Sequence, residues 1–431
     1  MNSYRKLIYS GIIVVGLGAL GAGAFFFWPH SLPAVTASAD QPTGDALIAR
    51  GQYLTVAADC AACHTTKGGK PFAGGLAFKL PFGTIYSPNI SSDPVNGIGD
   101  WSDAEFVRAM RSGVGKHGED LYPAFPYTSY ALLSTDDILA IRAYMKTIAP
   151  IAEPSRENSL AFPFNQRYVM RGWKLLFVPG QPFKPDLSRD ASWNQGAYLV
   201  EALEHCGECH TPRGLMFQRK QGVALSGGEV DGWKAWNITS DRDSGLGSWN
   251  DDEIASFLST GHARGHGPAG GAMREAVDLS LSKLPPSDIE AIVDYMRTVP
   301  AVEGTPKTKK APGAASPQAA GSLPRSSEVQ LGQQIFAGAC ASCHGFDGTG
   351  KSILRADIVG AHSVSDPDGA NLIRVILQGS SDSERLPGKT MPAFAALYSD
   401  EEIAASANYV IAQVGAGLGG VRPEDVKKAR E

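Results

Sequence analysis

The chain has 431 residues, 43% of them hydrophobic and 19% charged, a length that predicts several globular lobes rather than one small module. Its 39 basic and 44 acidic side chains give a formal charge of −5, which excludes the strongly basic balance of a nucleic-acid binder. The 49 Gly and 28 Pro predict compact lobes joined by long loops.

At the amino terminus, Arg5 and Lys6 precede an uncharged run from Gly11 to Trp28 that closes on Phe25, Phe26 and Phe27. A run of this length nearly spans a bilayer as a helix. The basic residues before it predict a cytoplasmic amino terminus, with the rest of the chain across the membrane. The competing reading is a cleaved secretory signal ending at Ala37-Ser38-Ala39. The bulky aromatic end and the long stretch before that site favour an uncleaved anchor over residues 1–30, and both readings export the chain.

Three repeats follow, each carrying two of the six cysteines: Cys60-Ala-Ala-Cys63-His64, Cys206-Gly-Glu-Cys209-His210 and Cys340-Ala-Ser-Cys343-His344. A helical stretch precedes each motif, at Leu47 to Leu54, Gln195 to Ala202 and Val329 to Phe336, with a recurring glycine and aromatic. The loop Asn89-Ile-Ser with Gly97-Ile-Gly-Asp-Trp101 returns as Asn237-Ile-Thr with Gly245-Leu-Gly-Ser-Trp249, which implies duplication. Helix starts are predicted at Ser102 with Glu105 and Asn250 with Glu253, and for the last helices at Ser134, Ser287 and Ser399. Ile138 and Tyr144, Ile289 and Tyr295, and Ile403 and Tyr409 repeat at helical core spacing. The predicted lobes are 40–150, 191–300 and 328–416. An aromatic connector, 151–190, is expected to pack across the first two, and a Pro/Ala-rich flexible tether, 301–327, precedes the third.

Cys-x-x-Cys-His is the attachment pattern for c-type haem: two thiols bond the porphyrin and the adjacent imidazole ligates its iron. A zinc reading would need the pairs to combine, and three pairs with three histidines do not divide into familiar four-ligand sets. A redox dithiol needs no following histidine. The expected cofactors are therefore three covalent c-type haems with their iron, bound through Cys60, Cys63, Cys206, Cys209, Cys340 and Cys343, with His64, His210 and His344 as metal ligands. The porphyrin supplies much of the core of each small lobe, so three helices suffice around it. The fold class follows as all-α, three tandem class I cytochrome c domains behind an N-terminal transmembrane helix.

For the opposite face of each iron, Met391 stands twelve residues after the helix-ending Gly379, and Met273 stands twelve after Gly261. Both are expected to ligate. The matching position after Gly113 is Phe125, which cannot. Met110 and Met145 read as core, and His117 lies in the right loop but has the character of a solvated residue. The first haem is expected to be five-coordinate or to have an unusual ligand. His262 and His266 lie in the loop before Met273 and read as solvated; His205 is not expected to ligate, and His30 and His362 follow no pattern.

With Gly68-Gly-Lys-Pro-Phe-Ala-Gly-Gly75, Tyr86-Ser-Pro-Asn-Ile90, Gly196-Ala-Tyr-Leu-Val-Glu201 and Cys209-His-Thr-Pro-Arg213, nearly the whole chain resembles the three-haem cytochrome c subunits of bacterial membrane-bound dehydrogenases for periplasmic alcohol, gluconate, sorbitol and aldehyde oxidation. Relatives partnered with quinone-cofactor alcohol dehydrogenases commonly have methionine in the Pro-Ala-x-Pro turn where this chain has Phe125. The form Tyr122-Pro-Ala-Phe-Pro-Tyr127, with Pro163-Phe-Asn-Gln-Arg167, looks more like cytochrome subunits paired with molybdenum-dependent aldehyde dehydrogenases. The resemblance implies an electron-transfer subunit on the periplasmic side of the inner membrane. Its implied partners are a catalytic dehydrogenase subunit, a small iron-sulfur or other redox subunit, and ubiquinone or a terminal oxidase as acceptor. Within the chain no phosphate loop, nucleophile elbow or signalling module is apparent. The alternative enzyme reading is a multihaem peroxidase using an open first haem, with a haem-based sensor as a third class.

Overall fold

The computed structural model describes residues 2–303, 327–350, 353–380, 390–415, 417 and 419–431, with the backbone alone at Asn2 to Lys6 and at Leu354. Most of the tether expected at 301–327 lies outside the described residues. The chain divides into two compact units, one made of 1–55 with 63–184 and the other of 56–62 with 185–431.

In the first unit, α1 (Asn2–Phe27) is a single apolar helix whose span Leu7–Phe27 is long and hydrophobic enough to cross a membrane. It is followed by α2 (Gly44–Ala57), α3 (Cys60–His64), which runs across the division, α4 (Asp103–Ser112), α5 (Tyr127–Tyr130), α6 (Thr135–Met145) and α7 (Val169–Phe177). A small antiparallel sheet of β1 (Ala77–Leu80), β2 (Gly83–Tyr86) and β3 (Ser159–Leu160) pairs Ala77 with Tyr86 and Gly83 with Leu160. The second unit contains α8 (Ala191–Tyr198), α9 (Gly207–His210), α10 (Asp251–Thr260), α11 (Gly271–Leu279), α12 (Pro286–Met296), α13 (Ser327–Ile335), α14 (Ala341–His344), α15 (His362–Ser365), α16 (Ala370–Gln378), α17 (Asp400–Val414) and α18 (Pro423–Arg430). Two short ladders, β4 (Gly228–Val230) with β5 (Trp233–Ala235) and β6 (His262–Ala263) with β7 (Gly267–Pro268), complete it.

The recurring glycine and tyrosine prove to be two sides of one helix crossing, made three times. A Cβ on Gly51 of α2 would lie 1.9 Å from the Ala140 carbonyl oxygen of α6 and 2.8 Å from Tyr144 Cβ. On Gly196 of α8 it would lie 1.8 Å from Ala291 O and 3.0 Å from Tyr295 Cβ of α12, and on Gly332 of α13, 2.2 Å from Ala405 O and 2.8 Å from Tyr409 Cβ of α17. Only a residue without a side chain lets these helix pairs approach so closely. Ile138, Ile289 and Ile403 are buried beside the crossings, as their spacing predicts.

The local helix signals hold at four of five starts. Capping boxes form at Ser102 with Glu105, Asn250 with Glu253 and Ser399 with Glu402. Ser134 accepts from the Asp137 N–H, while the Asp137 carboxylate turns to Arg50 of α2. Ser287 does not cap: α12 begins one residue earlier at Pro286, whose fixed φ suits the first helical position. The duplicated loop closes each helix set in the same way. Asn89 Nδ2 donates to Ile151 O and Asn237 Nδ2 to Val302 O, while Arg142 and Arg297 each donate to the carbonyl of the loop tryptophan, Trp101 or Trp249.

The aromatic connector 151–190 crosses the division between the two units. Residues 151–184 belong to the first unit, where Trp173 is buried against Tyr127 and Phe183 N–H donates to Leu132 O. Leu175 and Leu176 on α7 remain exposed.

The crossing makes a direct prediction. Gly196→Ala must push α8 from α12 and is expected to cost about 1–3 kcal/mol or more, whereas Gly222→Ala, with open space around it, is expected to be near neutral. Thermal unfolding of the two haem-loaded variants measures the difference.

Candidate haem sites

Each Cys-x-x-Cys-His motif sits on a short helix immediately after a longer one. Before the second and third motifs the long helix widens into a π-turn, Leu199–Leu203 and Phe336–Cys340, a feature that frequently marks functional sites. Asp59 and His205, the residues directly before Cys60 and Cys206, both adopt positive φ, 46° and 38°. This rare backbone state swings the chain from the long helix into the motif.

The three motif histidines share one arrangement. His64 Nδ1 lies 2.7 Å from Pro88 O, His210 Nδ1 2.6 Å from Trp236 O, and His344 Nδ1 2.8 Å from Ala356 O. A carbonyl partner makes Nδ1 the protonated nitrogen and leaves the Nε2 lone pair to face a metal. Burial pushes all three imidazoles below their usual pKa, against the smaller opposing effect of the carbonyl, so they are neutral near pH 7. These carbonyl partners were not visible in the sequence, since they lie 24, 26 and 12 residues from their histidines.

None of the six cysteines is in a disulfide. Burial pushes the Cys209 and Cys340 thiols up to about 11, with Glu208 and Cys343 adding to the effect, and Cys206 rises for the same first reason. Protonated thiols of this kind exchange slowly with disulfides. Among the described residues no three His, Cys, Asp or Glu side chains gather as a zinc cage would require. Paired thiols on one turn, followed by an oriented neutral imidazole, do fit covalent haem.

The opposite loops begin at glycines of positive φ, Gly113, Gly261 and Gly379. Leu121 N–H donates to Gly113 O and Ala269 N–H to Gly261 O, both at 2.8 Å, so the first two loops leave their helices alike. Met273 then falls in the first turn of α11. Met391 is held by a reciprocal pair, its N–H donating to Ser380 Oγ at 2.8 Å and its carbonyl accepting from Ser380 N–H at 2.9 Å. Phe125, at the corresponding place in the first loop, packs its ring against Tyr130 and Tyr127, 5.5 and 6.3 Å between centroids. His117 sits exposed on the turn between Gly115 and Gly118, while Met110 and Met145 are buried core.

The remaining histidines are engaged rather than solvated. His266 stacks on Trp249, 3.7 Å between ring centroids, and lies 3.3 Å from Glu253; His262 is buried near Asp357. His362 stacks on Trp236, and burial pushes it down to about 4. Trp236 thereby receives His210 on its carbonyl and His362 of α15 on its ring. Lys234 reinforces that contact, pairing with Asp366 at 2.8 Å and exchanging two backbone hydrogen bonds with the Asn371 side chain. His30 bonds Asp120 at 3.1 Å, and Asp120 also pairs with Lys174 and Arg171 of α7. Lys174 donates in turn to Gly113 O, so this buried ionic cluster fixes the start of the first loop.

A chain with these sites is a c-type cytochrome. The cytochrome c family model matches residues 48–149, and the model for cytochrome c oxidase, cbb3-type, subunit III matches 327–410. The chain is 37% identical over 417 residues to the gluconate 2-dehydrogenase cytochrome c subunit of Pantoea cypripedii, covering 92% of both chains. It is 36% identical over 403 residues to the cytochrome c subunit of the quinone alcohol dehydrogenase of Gluconobacter oxydans, covering 90% of this chain and 83% of that one. It is 40% identical over 406 residues to one of the subunits of the nicotinate dehydrogenase of Pseudomonas putida, covering 93% of this chain but only 33% of that longer relative. The chain belongs to the cytochrome c subunits of membrane-bound dehydrogenases. These relatives favour an electron-transfer role and lend nothing to the peroxidase reading.

Replacing Asp120 by Asn strands buried Lys174 and Arg171 without their anion. The expected cost is about 3–5 kcal/mol, read as a lowered unfolding midpoint of the haem-loaded chain.

Proposed function

We propose that this chain is the electron relay of a dehydrogenase complex, built as three tandem class I cytochrome c domains with one covalent haem at each motif. When bound, each iron cycles between ferric and ferrous states and passes one electron at a time. The chain's residues position it: Cys60 and Cys63, Cys206 and Cys209, and Cys340 and Cys343 hold the three macrocycles, and His64, His210 and His344 are the proximal ligands. Met273 and Met391 would supply the sixth ligands of the second and third sites. The observation that carries this reading is the threefold repetition of a neutral histidine tied through Nδ1 to a backbone carbonyl.

The first site differs, because Phe125 offers no ligand and its ring is taken up by Tyr127 and Tyr130. A haem held there by Cys60, Cys63 and His64 would lack the thioether that Met273 and Met391 would offer the other two, which would lower its potential relative to them. The relay works on the periplasmic side of the inner membrane, held by α1 as an uncleaved anchor. It takes electrons from a catalytic subunit through a small iron-sulfur or other redox subunit and delivers them to ubiquinone or a terminal oxidase. The Tyr122 to Tyr127 phrase supports a molybdenum-dependent aldehyde dehydrogenase as the catalytic partner.

Affinity purification from the native membrane tests the assignment: a molybdopterin, quinoprotein or flavoprotein subunit is expected in stoichiometric amount. A chain recovered alone that reduces peroxide rapidly would replace the relay with the enzyme reading. Haem quantification is expected to give three per chain, falling to two in the Cys206→Ala, Cys209→Ala double variant. Met391→Ala is expected to lower one potential by roughly 0.1–0.2 V, a fraction of the about 0.8 V that axial ligands command. Phe125→Met is expected to raise the lowest potential and convert that haem to low spin, as followed by redox titration with absorbance.

A further inference from the structure

We propose that the outward face of α7 lies in the membrane interface, seated among lipid headgroups and upper acyl chains, so that the first unit rests on the bilayer instead of hanging from α1. This rests on reading α1 as an uncleaved anchor.

The helix presents two contrasting faces. Trp173, Lys174 and Arg171 turn toward the body of the unit, Trp173 against Tyr127 and the two cations toward Asp120. The other face carries Tyr168, Val169, Leu175 and Leu176, all exposed, with Leu175 at 72% and Leu176 at 65%. A helix on a water-facing surface has the opposite pattern, with its charges outward. Here the charges are consumed inside the unit, and beyond the Tyr168 contact with α1 the apolar side stays open, with Leu175 and Leu176 exposed.

The position of α7 identifies what covers that side. The span Leu7–Phe27 has 21 residues, about 32 Å of helix at 1.5 Å per residue, which matches a hydrocarbon core of about 30 Å. Its last turn therefore emerges at the headgroup level, where exposed Phe27 and Trp28 suit the aromatic belt. α7 is fastened to that turn. Arg171 donates to the carbonyls of Phe25 and Trp28 at 2.6 and 2.7 Å, the Tyr168 ring packs on Phe26 and Phe27, and Gly172 faces Phe26. The apolar face thus continues the lipid-facing surface of the anchor at interfacial depth, and lipid is the occupant that its chemistry fits.

The test uses the full haem-loaded chain in nanodiscs of phosphatidylethanolamine and phosphatidylglycerol. Single nitroxide labels are placed at Leu176→Cys, at Leu175→Cys as a second site, at Leu17→Cys inside the span and at Val95→Cys on an exposed loop. Electron paramagnetic resonance with oxygen and a nickel chelate as collision partners reads depth. The α7 labels are expected about 5–10 Å below the phosphate level, as for interfacial helices, with Leu17 deeper and Val95 aqueous. Labels at 175 and 176 that match Val95 would overturn the proposal. Labels shielded from both probes would also overturn it, because protein then covers the face. A mature chain lacking residues 1–39 by intact mass would overturn the anchor reading separately. In that case the depth of the Leu176 label on the shortened chain with vesicles of the same lipids still decides whether α7 enters the interface.

Discussion

Everything in the three repeats hangs on a close backbone approach. Gly51, Gly196 and Gly332 bring the helix before each motif against the last helix of the repeat, so near that a carbonyl oxygen occupies the place of a side chain. The crossing fixes the axis of the first helix, and with it the point at which the motif turn emerges. It also brings a tyrosine of the last helix over the first; in the second repeat the Tyr295 hydroxyl reaches Glu201 at 2.8 Å, inside the π-turn that leads to Cys206. A haem attached by two thioethers tolerates little error in where its cysteines and histidine stand, and a glycine contact varies less in spacing than one between long side chains.

The histidine-to-carbonyl bonds extend that rigidity to the metal side. In the second unit the acceptors are placed where two repeats meet. The carbonyl of Trp236 receives His210 while its ring stacks on His362; the carbonyl of Ala356 receives His344 while the neighbouring Arg355 lies 3.6 Å from Asp278 and donates to Thr260 O. The orientation of each of these two imidazoles is therefore bound up with the contact between repeats. In the first unit the comparable fixture is ionic. Asp120 gathers His30, Lys174 and Arg171, and these tie the chain after α1, the connector and the loop toward Phe125 into one cluster. Burial lowers the pKa of Lys174 and Asp120 opposes that shift, a balance that holds only while both partners stay in place.

The departures of the first repeat are consistent with one another. Phe125 stands where the other repeats have Met273 and Met391, the same loop is anchored by the ionic cluster, and the cluster connects to the end of α1. The second and third repeats instead lean on each other through Lys234, Asn371 and the Trp236–His362 stack. Duplication produced similar helices and loops, and each copy then used its free surface differently.

Local chemistry was legible in the sequence. The three Cys-x-x-Cys-His motifs, the apolar span, the duplicated loop and four of five helix starts depend on residues within a few positions of each other, and capping needs no tertiary partner. Ser287 failed as a cap because an adjacent proline competes locally, a conflict the spacing alone does not rank. What only the tertiary structure decided is what lies far apart in the chain: the carbonyls that orient the histidines, the partners of His30 and His362, and the outward turn of Leu175 and Leu176. The physical reason is that a backbone carbonyl is the same in every residue, and an apolar side chain is the same whether it faces core or lipid. Only folding selects which carbonyl, and which face, stands at the site.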